Sequence, residues 1–192
     1  TGSNYAMFKG SGTINGEGDY KFKLWATDAV PDQFRMKIWT EEDGVENVVY
    51  DSGDIMEVET AVNFPDGFNS TNDENDTFDD RSDDKGPEPE TAIVGMVAGR
   101  QYAFVGLERV GGIMIFDVTV PEEARYVNYV NNRNFDPDLD VEQAVLEGNQ
   151  AGDLGPEGLA FIKEDESPTG EPLLVVGNEV SGTTSIYRVI AD

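Results

Sequence analysis

Side chains whose oxygen atoms bind hard cations are concentrated in one stretch of this sequence. Between Asp73 and Glu90, nine acidic residues stand against two basic ones. Carboxylate, amide and hydroxyl oxygens are the ligands that Ca²⁺ prefers. The stretch is not an EF-hand, because Phe78 occupies the place where that loop has glycine. Two interpretations stay open, a calcium-binding loop and a solvated acidic linker. The predicted ligands are Asp73, Asn75, Thr77, Asp79, Asp80, Asp83 and Asp84.

A second group of carboxylates is placed by an internal repeat. The letters GPE at 86–88 recur at 155–157, and GLERVGGIMIFDV at 106–118 aligns with GNEVSGTTSIYRV at 177–189. Each unit reads as Gly-Pro-Glu, strand, turn, strand, Gly-x-Glu, turn and strand. Several short strands in each repeat are typical of a propeller blade.

The repeat makes pairs of glutamates equivalent, Glu88 with Glu157 and Glu108 with Glu179. Equivalent carboxylates of repeated units are expected to converge, and they must then bind a metal, pair with a cation such as Arg109, or become protonated. We predict metal ligation, with internal ion pairs as the alternative. The predicted calcium ligands from this group are Glu88, Glu108, Glu157, Asn178 and Glu179.

Composition excludes many other kinds of chemistry. The chain of 192 residues has 13 Lys plus Arg against 39 Asp plus Glu, a net charge of −26, and neither His nor Cys. A Ser-His-Asp triad, a thiolate nucleophile and a zinc knuckle are therefore excluded, and we predict that the protein is not an enzyme. A polyanion is repelled by nucleic acid and by anionic membranes, and no apolar run approaches the roughly 20 residues of a membrane span.

Hydrophobic periodicity predicts an all-β chain. Apolar and polar residues alternate over 20–27 and 34–39, which is the signal of half-buried strands, whereas the glycine-rich stretch 10–18 predicts turns. One helix is predicted, capped by Asp138 and running over 139–148. We predict a small β-sandwich-like module at 1–50, followed at 51–192 by two propeller-blade-like repeats that carry an acidic loop at 66–90. Two repeats do not make a closed propeller.

The repeats resemble the choice-of-anchor I family of secreted bacterial β-propeller proteins, often labelled alkaline-phosphatase-like, over about 51–189. The residues before them resemble a small β-sandwich module of bacterial surface proteins. The resemblance implies a secreted or surface location. The stretches that carry the family resemblance are NDEN at 72–75, RSDDKGPE at 81–88, GLERVGGIM at 106–114, DLGPEG at 153–158 and VGNEVSGTT at 176–184. Those that carry the module resemblance are GTINGEGDY at 12–20, DQFRMKIW at 32–39 and VY at 49–50.

A closed propeller takes about four to eight blades, so this chain is expected to be either a fragment or a unit that neighbouring copies complete. The predicted function is that of an extracellular, calcium-binding structural protein that self-associates into a filament or matrix. Two alternatives stay open. One is a fragment of a metal-dependent phosphoesterase-like propeller enzyme. The other is an adhesion module that binds glycans through Trp25 and Trp39, although a second sheet packed on these side chains is also expected to account for them. Separately, Asn69 and Asn75 match the acceptor pattern for glycosylation.

Overall fold

The computed structural model describes residues 5–14, 17–27, 33–83 and 86–191, and within them it forms three antiparallel sheets. We call them the N-terminal, central and C-terminal sheets. The N-terminal sheet is a meander of β1 (Tyr5–Ile14), β2 (Glu17–Thr27), β3 (Gln33–Glu42) and β4 (Val45–Asp51).

The two repeats form the other two sheets. The central sheet is a meander of β5 (Pro89–Val97), β6 (Arg100–Leu107), β7 (Ile113–Asp117) and β8 (Arg125–Val130). The C-terminal sheet has β10 (Leu173–Asn178) between β9 (Pro156–Ile162) and β11 (Thr183–Arg188). The all-β prediction is confirmed, and the described strands close no barrel.

The central sheet is the middle layer because its strands are apolar on both faces. Val105 and Leu107 of β6 are fully buried on the face that packs against Met36 and Ile38 of β3. Phe104, which points to the opposite face, packs against the C-terminal sheet. This is the period of two expected of a strand that is buried on both sides. The predicted division into 1–50 and 51–192 stays a prediction, and buried residues of both parts belong to one hydrophobic cluster.

The helices differ from the prediction. Helix α2 (Val141–Leu146) begins two residues late, because Asp140 rather than Asp138 is its cap: Asp140 Oδ1 accepts from the backbone N–H of Gln143 at 3.0 Å. The side chain of Asp136 accepts instead from the N–H of Asp138 and makes a turn before the helix. Two short 3₁₀ helices, Pro65–Gly67 and Pro121–Glu123, lie in loops.

Helix α1 and strands β1 and β8 were missed by the prediction. Helix α1 (Ile55–Asn63) has no side-chain cap and is rich in β-branched residues, so its one signal is the spacing of the buried Met56 and Thr60. The stretch 10–18 that was predicted as turns contains the second half of β1 and the beginning of β2, because pairing with β2 overrides the low strand propensity of Gly10 and Gly12. No helix in the described part of the chain has the length and hydropathy that crossing a bilayer requires.

Candidate cation site between the two repeats

A β-bulge in each repeat decides which glutamates are equivalent. In the central sheet Pro89 pairs with Leu107 and Thr91 with Gly106, so Glu90 is the extra residue of the bulge. In the C-terminal sheet the same shift occurs between Pro156 and Gly158, and there Glu157 is left over. The structural counterpart of Glu157 is therefore Glu90, two residues beyond the one predicted. Bulges re-aim a side chain, and both extra residues are exposed acids.

Five glutamates converge where the two repeats meet. Carboxylate oxygens of Glu88, Glu90 and Glu108 all lie within 4.8 Å of one another. Glu157 lies close enough to Glu179 and Glu90 for both carboxylates to raise its pKa. The predicted convergence of carboxylates from the two repeats is therefore present in the structure. Calcium ligation by them stays a prediction.

The base of this glutamate cluster is buried and held by Arg109. The Nε of Arg109 donates to Glu88 Oε2 at 2.5 Å and lies 3.3 Å from Glu108 Oε2. Its Nη1 donates to Asn72 Oδ1 at 3.0 Å, and the amide of Asn72 donates to Glu108 Oε1 at 2.7 Å. Glu88 and Glu108 are 3% and 6% exposed, so their carboxylates depend on these partners. The predicted ion pair between repeat glutamates and Arg109 is thus also present.

The backbone places these carboxylates at a strained turn. Glu88 has a φ of +50°, an unfavourable conformation for a side chain with a Cβ. Its carbonyl accepts from the N–H of Glu108 at 2.8 Å, which fixes the two residues relative to each other. Strain of this kind persists where the surroundings over-determine the conformation, and it concentrates at functional sites.

Crowding of the carboxylates perturbs their titration. Burial raises the pKa of Glu108 most; Arg109 opposes that shift, and Glu88 and Glu90 add to it, so that the pKa lies at about 7. The hydrogen bond to Glu179 raises the pKa of Glu157. One guanidinium therefore does not fully compensate the charge of this group.

The acidic loop is folded through its polar side chains. Thr77 is buried, accepts from the backbone N–H of Thr71 at 3.1 Å and donates to the carbonyl of Glu74. Ser82 donates to the carboxylate of Asp79. The predicted ligands Asp73, Asp79, Asp80 and Asp83 have exposed side chains, and Asp84 lies outside the described residues.

The positive charge that holds this loop is a side chain of the protein itself, the guanidinium of Arg133. The buried Arg133 donates to the carbonyls of Thr71, Glu74 and Arg109 at 2.6, 2.8 and 3.0 Å, and to Asn75 Oδ1 at 3.0 Å. Burial lowers the pKa of this guanidinium to about 10. The oxygen of Asn75, predicted as a calcium ligand, is thus bound by an arginine. Sequence reasoning missed Arg133, because it lies about sixty residues from the loop.

The remaining predicted ligand, Asn178, joins a different network. Its amide donates to the hydroxyls of Thr183 and Ser185 on β11. Both hydroxyls donate in turn to the carboxylate of Asp153, at 2.7 and 2.6 Å. This network ties the end of β10 to the loop before β9, and it gives Asn178 a structural role.

The candidate glycan contacts are mostly engaged by the fold. Trp39 is only 4% exposed, with Lys37 Nζ 5.6 Å from its ring centroid, and the side chain of Trp25 lies outside the described part. Asn69 is buried and donates to Ser82, and the amide of Asn75 donates to two backbone carbonyls. Glycan binding through the tryptophans and glycosylation of the two asparagines both stay predictions.

This chain is similar in sequence to known animal proteins over part of their length. Gigasin-3a of Magallana gigas is 35% identical over 147 residues, which cover 73% of this chain and 51% of that protein. The Mesenchyme-specific cell surface glycoprotein of Strongylocentrotus purpuratus is 39% identical over 79 residues, which cover 37% of this chain and 10% of that protein.

The chain thus spans about half the length of Gigasin-3a and a tenth of the second relative. Neither is bacterial, so the bacterial origin stays a prediction. Residues 36–121 match the choice-of-anchor I domain, a finding that supports the family resemblance for this part of the chain.

Proposed function

We propose that this chain is an extracellular structural protein in which Ca²⁺ joins the two repeats at the glutamate cluster, and that copies of it associate through the C-terminal sheet. The match to the choice-of-anchor I domain and the similarity to a cell surface glycoprotein support the location. The glutamate cluster supports the calcium site.

The observation that carries the proposal is the convergence of carboxylates from both repeats near the guanidinium of Arg109, which pairs with Glu88 and Glu108. Ca²⁺ takes oxygen ligands at about 2.4 Å, so two ligands on opposite sides of one ion lie about 4.8 Å apart. The oxygens of Glu88, Glu90 and Glu108 lie within 4.8 Å of one another and so have the spread of one coordination sphere. Glu90 is exposed, which gives an ion access to the buried pair.

Calcium at this place would join the repeats mechanically. Glu88, Glu90 and Glu108 belong to the central sheet and its flanking turns, whereas Glu157 and Glu179 belong to the C-terminal sheet. Without Ca²⁺, Arg109 compensates only part of the charge, and the repulsion that remains between these groups opposes the packing of one sheet on the other. An ion that binds only the folded form stabilises it by mass action.

The exposed face of the C-terminal sheet supports self-association. Val175 of β10 pairs with Ala160 on one side and Ile186 on the other, and these side chains point away from the central sheet. Ile186 is 64% exposed, and Ala160 is exposed as well. These side chains form an apolar row across the three strands of the C-terminal sheet. The opposite face of the same sheet is also apolar, and there the central sheet covers it.

Thermal unfolding with and without a chelator tests the calcium site. Free calcium a hundredfold above its dissociation constant stabilises the folded state by about 2.7 kcal/mol. For a chain of this size that is a rise in Tm of about 5–10 °C. Glu90→Gln should remove most of the rise, whereas Glu122→Gln, which changes an exposed glutamate on a 3₁₀ helix, should leave it intact. An equal response of the two variants would refute the site.

Light scattering after size exclusion tests association separately. Ile186→Lys should shift the protein towards the monomer, and Val62→Lys, at a residue 71% exposed on α1, should not. A wild-type monomer at all accessible concentrations, with calcium present, would exclude self-association through this face.

A further inference from the structure

A groove that the calcium proposal does not use lies between the acidic loop and α2. Its volume is about 690 Å³. The loop contributes one side of the groove, and α2 and the residues just before it contribute the other; we call the half-buried apolar residues that line it, Leu139, Val145 and Val180, its floor. The residues that line it are Asp73, Glu74, Asn75, Leu139, Asp140, Val141, Glu142, Val145, Leu146 and Val180.

The groove combines an apolar floor with acidic walls. Leu139, Val145 and Val180 are half-buried, and Leu146 at the end of α2 is 79% exposed. Acidic side chains stand on both sides, two from the loop and two from the helical wall. They are Asp73, Glu74, Asp140 and Glu142, all exposed. No lysine or arginine is among the described residues that line the groove.

Both walls are held in place by contacts behind them. Arg133 binds Glu74 and Asn75 from below the loop, and it compensates part of the charge of Asp73. Ala144 of α2 is buried in a cluster with Leu154. The groove is therefore formed before any partner arrives, and a preformed site costs little ordering free energy on binding.

We propose that this groove binds a basic amphipathic segment of another protein, with an aliphatic side chain on the apolar floor and flanking Lys or Arg side chains against the acidic walls. Charge complementarity identifies this partner. Four exposed acids line the groove, no lysine or arginine lines it, and Arg133 behind the loop compensates only part of their charge, so the groove attracts a cationic chain, which the net charge of −26 steers towards the surface. A bare metal ion would leave the apolar floor and Leu146 uncovered, whereas Lys and Arg carry apolar stems that cover such surface.

Fluorescence anisotropy with two labelled peptides tests the proposal. The peptide KLKKLLK has leucines for the floor, and KSKKSSK has the same charge without them. At an ionic strength of about 0.15 M the leucine peptide should bind at least tenfold more tightly, because one buried leucine alone contributes roughly this factor. A higher salt concentration should weaken the binding of the leucine peptide, because salt screens the attraction between its lysines and the acidic walls. Equal binding of the two peptides would show non-specific attraction to a polyanion and overturn the proposal.

Substitutions locate the binding. Leu146→Ser should weaken the leucine peptide about tenfold, and Glu142→Gln about two- to threefold, since exposed charge pairs contribute little. Both side chains are exposed, so the variants should fold. Val62→Ser, which also replaces an exposed aliphatic residue by serine, and Glu122→Gln lie on other surfaces and should leave affinity unchanged. If Leu146→Ser binds as Val62→Ser does, the groove is not the site.

Discussion

Replacing Arg133 should lower the free energy of unfolding strongly, although it changes none of the predicted carboxylate ligands. Its guanidinium gathers three backbone carbonyls and one amide oxygen from the acidic loop and from the turn after β6. The change Arg133→Met keeps much of the volume of the side chain and removes every donor. The four oxygens then lose their shared partner at once.

The size of the effect follows from these contacts. Each buried polar group that is left without a partner costs about 1–3 kcal/mol, but the loop is near the surface and water can reach some of the oxygens. Breaking a buried charged network costs about 3–5 kcal/mol in all. We therefore expect a loss of about 3–5 kcal/mol in the free energy of unfolding, and a fall in Tm of roughly 6–20 °C.

Denaturant unfolding followed by circular dichroism measures the loss. Arg188→Met is the matched control, because Arg188 is an exposed residue that pairs with Glu171 at 3.2 Å on the surface, and such pairs contribute about 0–1 kcal/mol. Arg133→Lys should fall between the two, since an ammonium cannot reach four oxygens arranged for a planar fork. If Arg133→Met and Arg188→Met lose the same stability, the loop does not depend on the guanidinium.

Three further changes test the packing and the polar network. Gly112→Ala should lower the free energy of unfolding by more than about 2 kcal/mol, because the new Cβ would lie 2.5 Å from a backbone oxygen at a φ of +79°. Gly99→Ala, with the same φ but open space around the new Cβ, should lower it by about 1 kcal/mol, and a denaturant titration measures both losses. Burial raises the pKa of Asp153, but four hydrogen bonds to its carboxylate outweigh burial and lower it below 3.8, so its contribution is present above that pH and is lost as the pH falls through the folded value. Asp153→Asn should therefore lower stability at pH 7 and flatten its loss in acid; an unchanged acid limb would contradict this. Phe161→Ala should cost about 3–5 kcal/mol in thermal unfolding, because the ring stacks on Phe104 at 5.7 Å between two sheets, and a loss below 1 kcal/mol would mean that the sheets are not packed as described.

Much of the architecture could be predicted because it depends on local periodicity. The alternation over 20–27 and 34–39 corresponds to β2 and β3, and the internal repeat corresponds to the central and C-terminal sheets. The failures occurred where the local signal is weak or misleading. Helix α1 has no cap, and β1 contains two glycines that its pairing with β2 tolerates.

The candidate site shows the same limit at the level of single residues. Matching the letters GPE made Glu88 the counterpart of Glu157, but the bulges make it Glu90. An alignment of identities cannot detect a bulge, because the extra residue is defined by the hydrogen bonds of the partner strand. Glu88 instead became the buried partner of Arg109.

By itself, the sequence determined that this protein is an acidic all-β chain with a repeat whose carboxylates recur, since composition and periodicity are properties of the chain. Only the tertiary structure decided which carboxylates meet and which cation compensates each group. Arg109 binds at the glutamate cluster and Arg133 binds under the acidic loop, from positions that local spacing does not connect to the oxygens of the loop. The physical reason is that compensation of buried charge depends on distance in space and on burial, and both are set when the sheets pack.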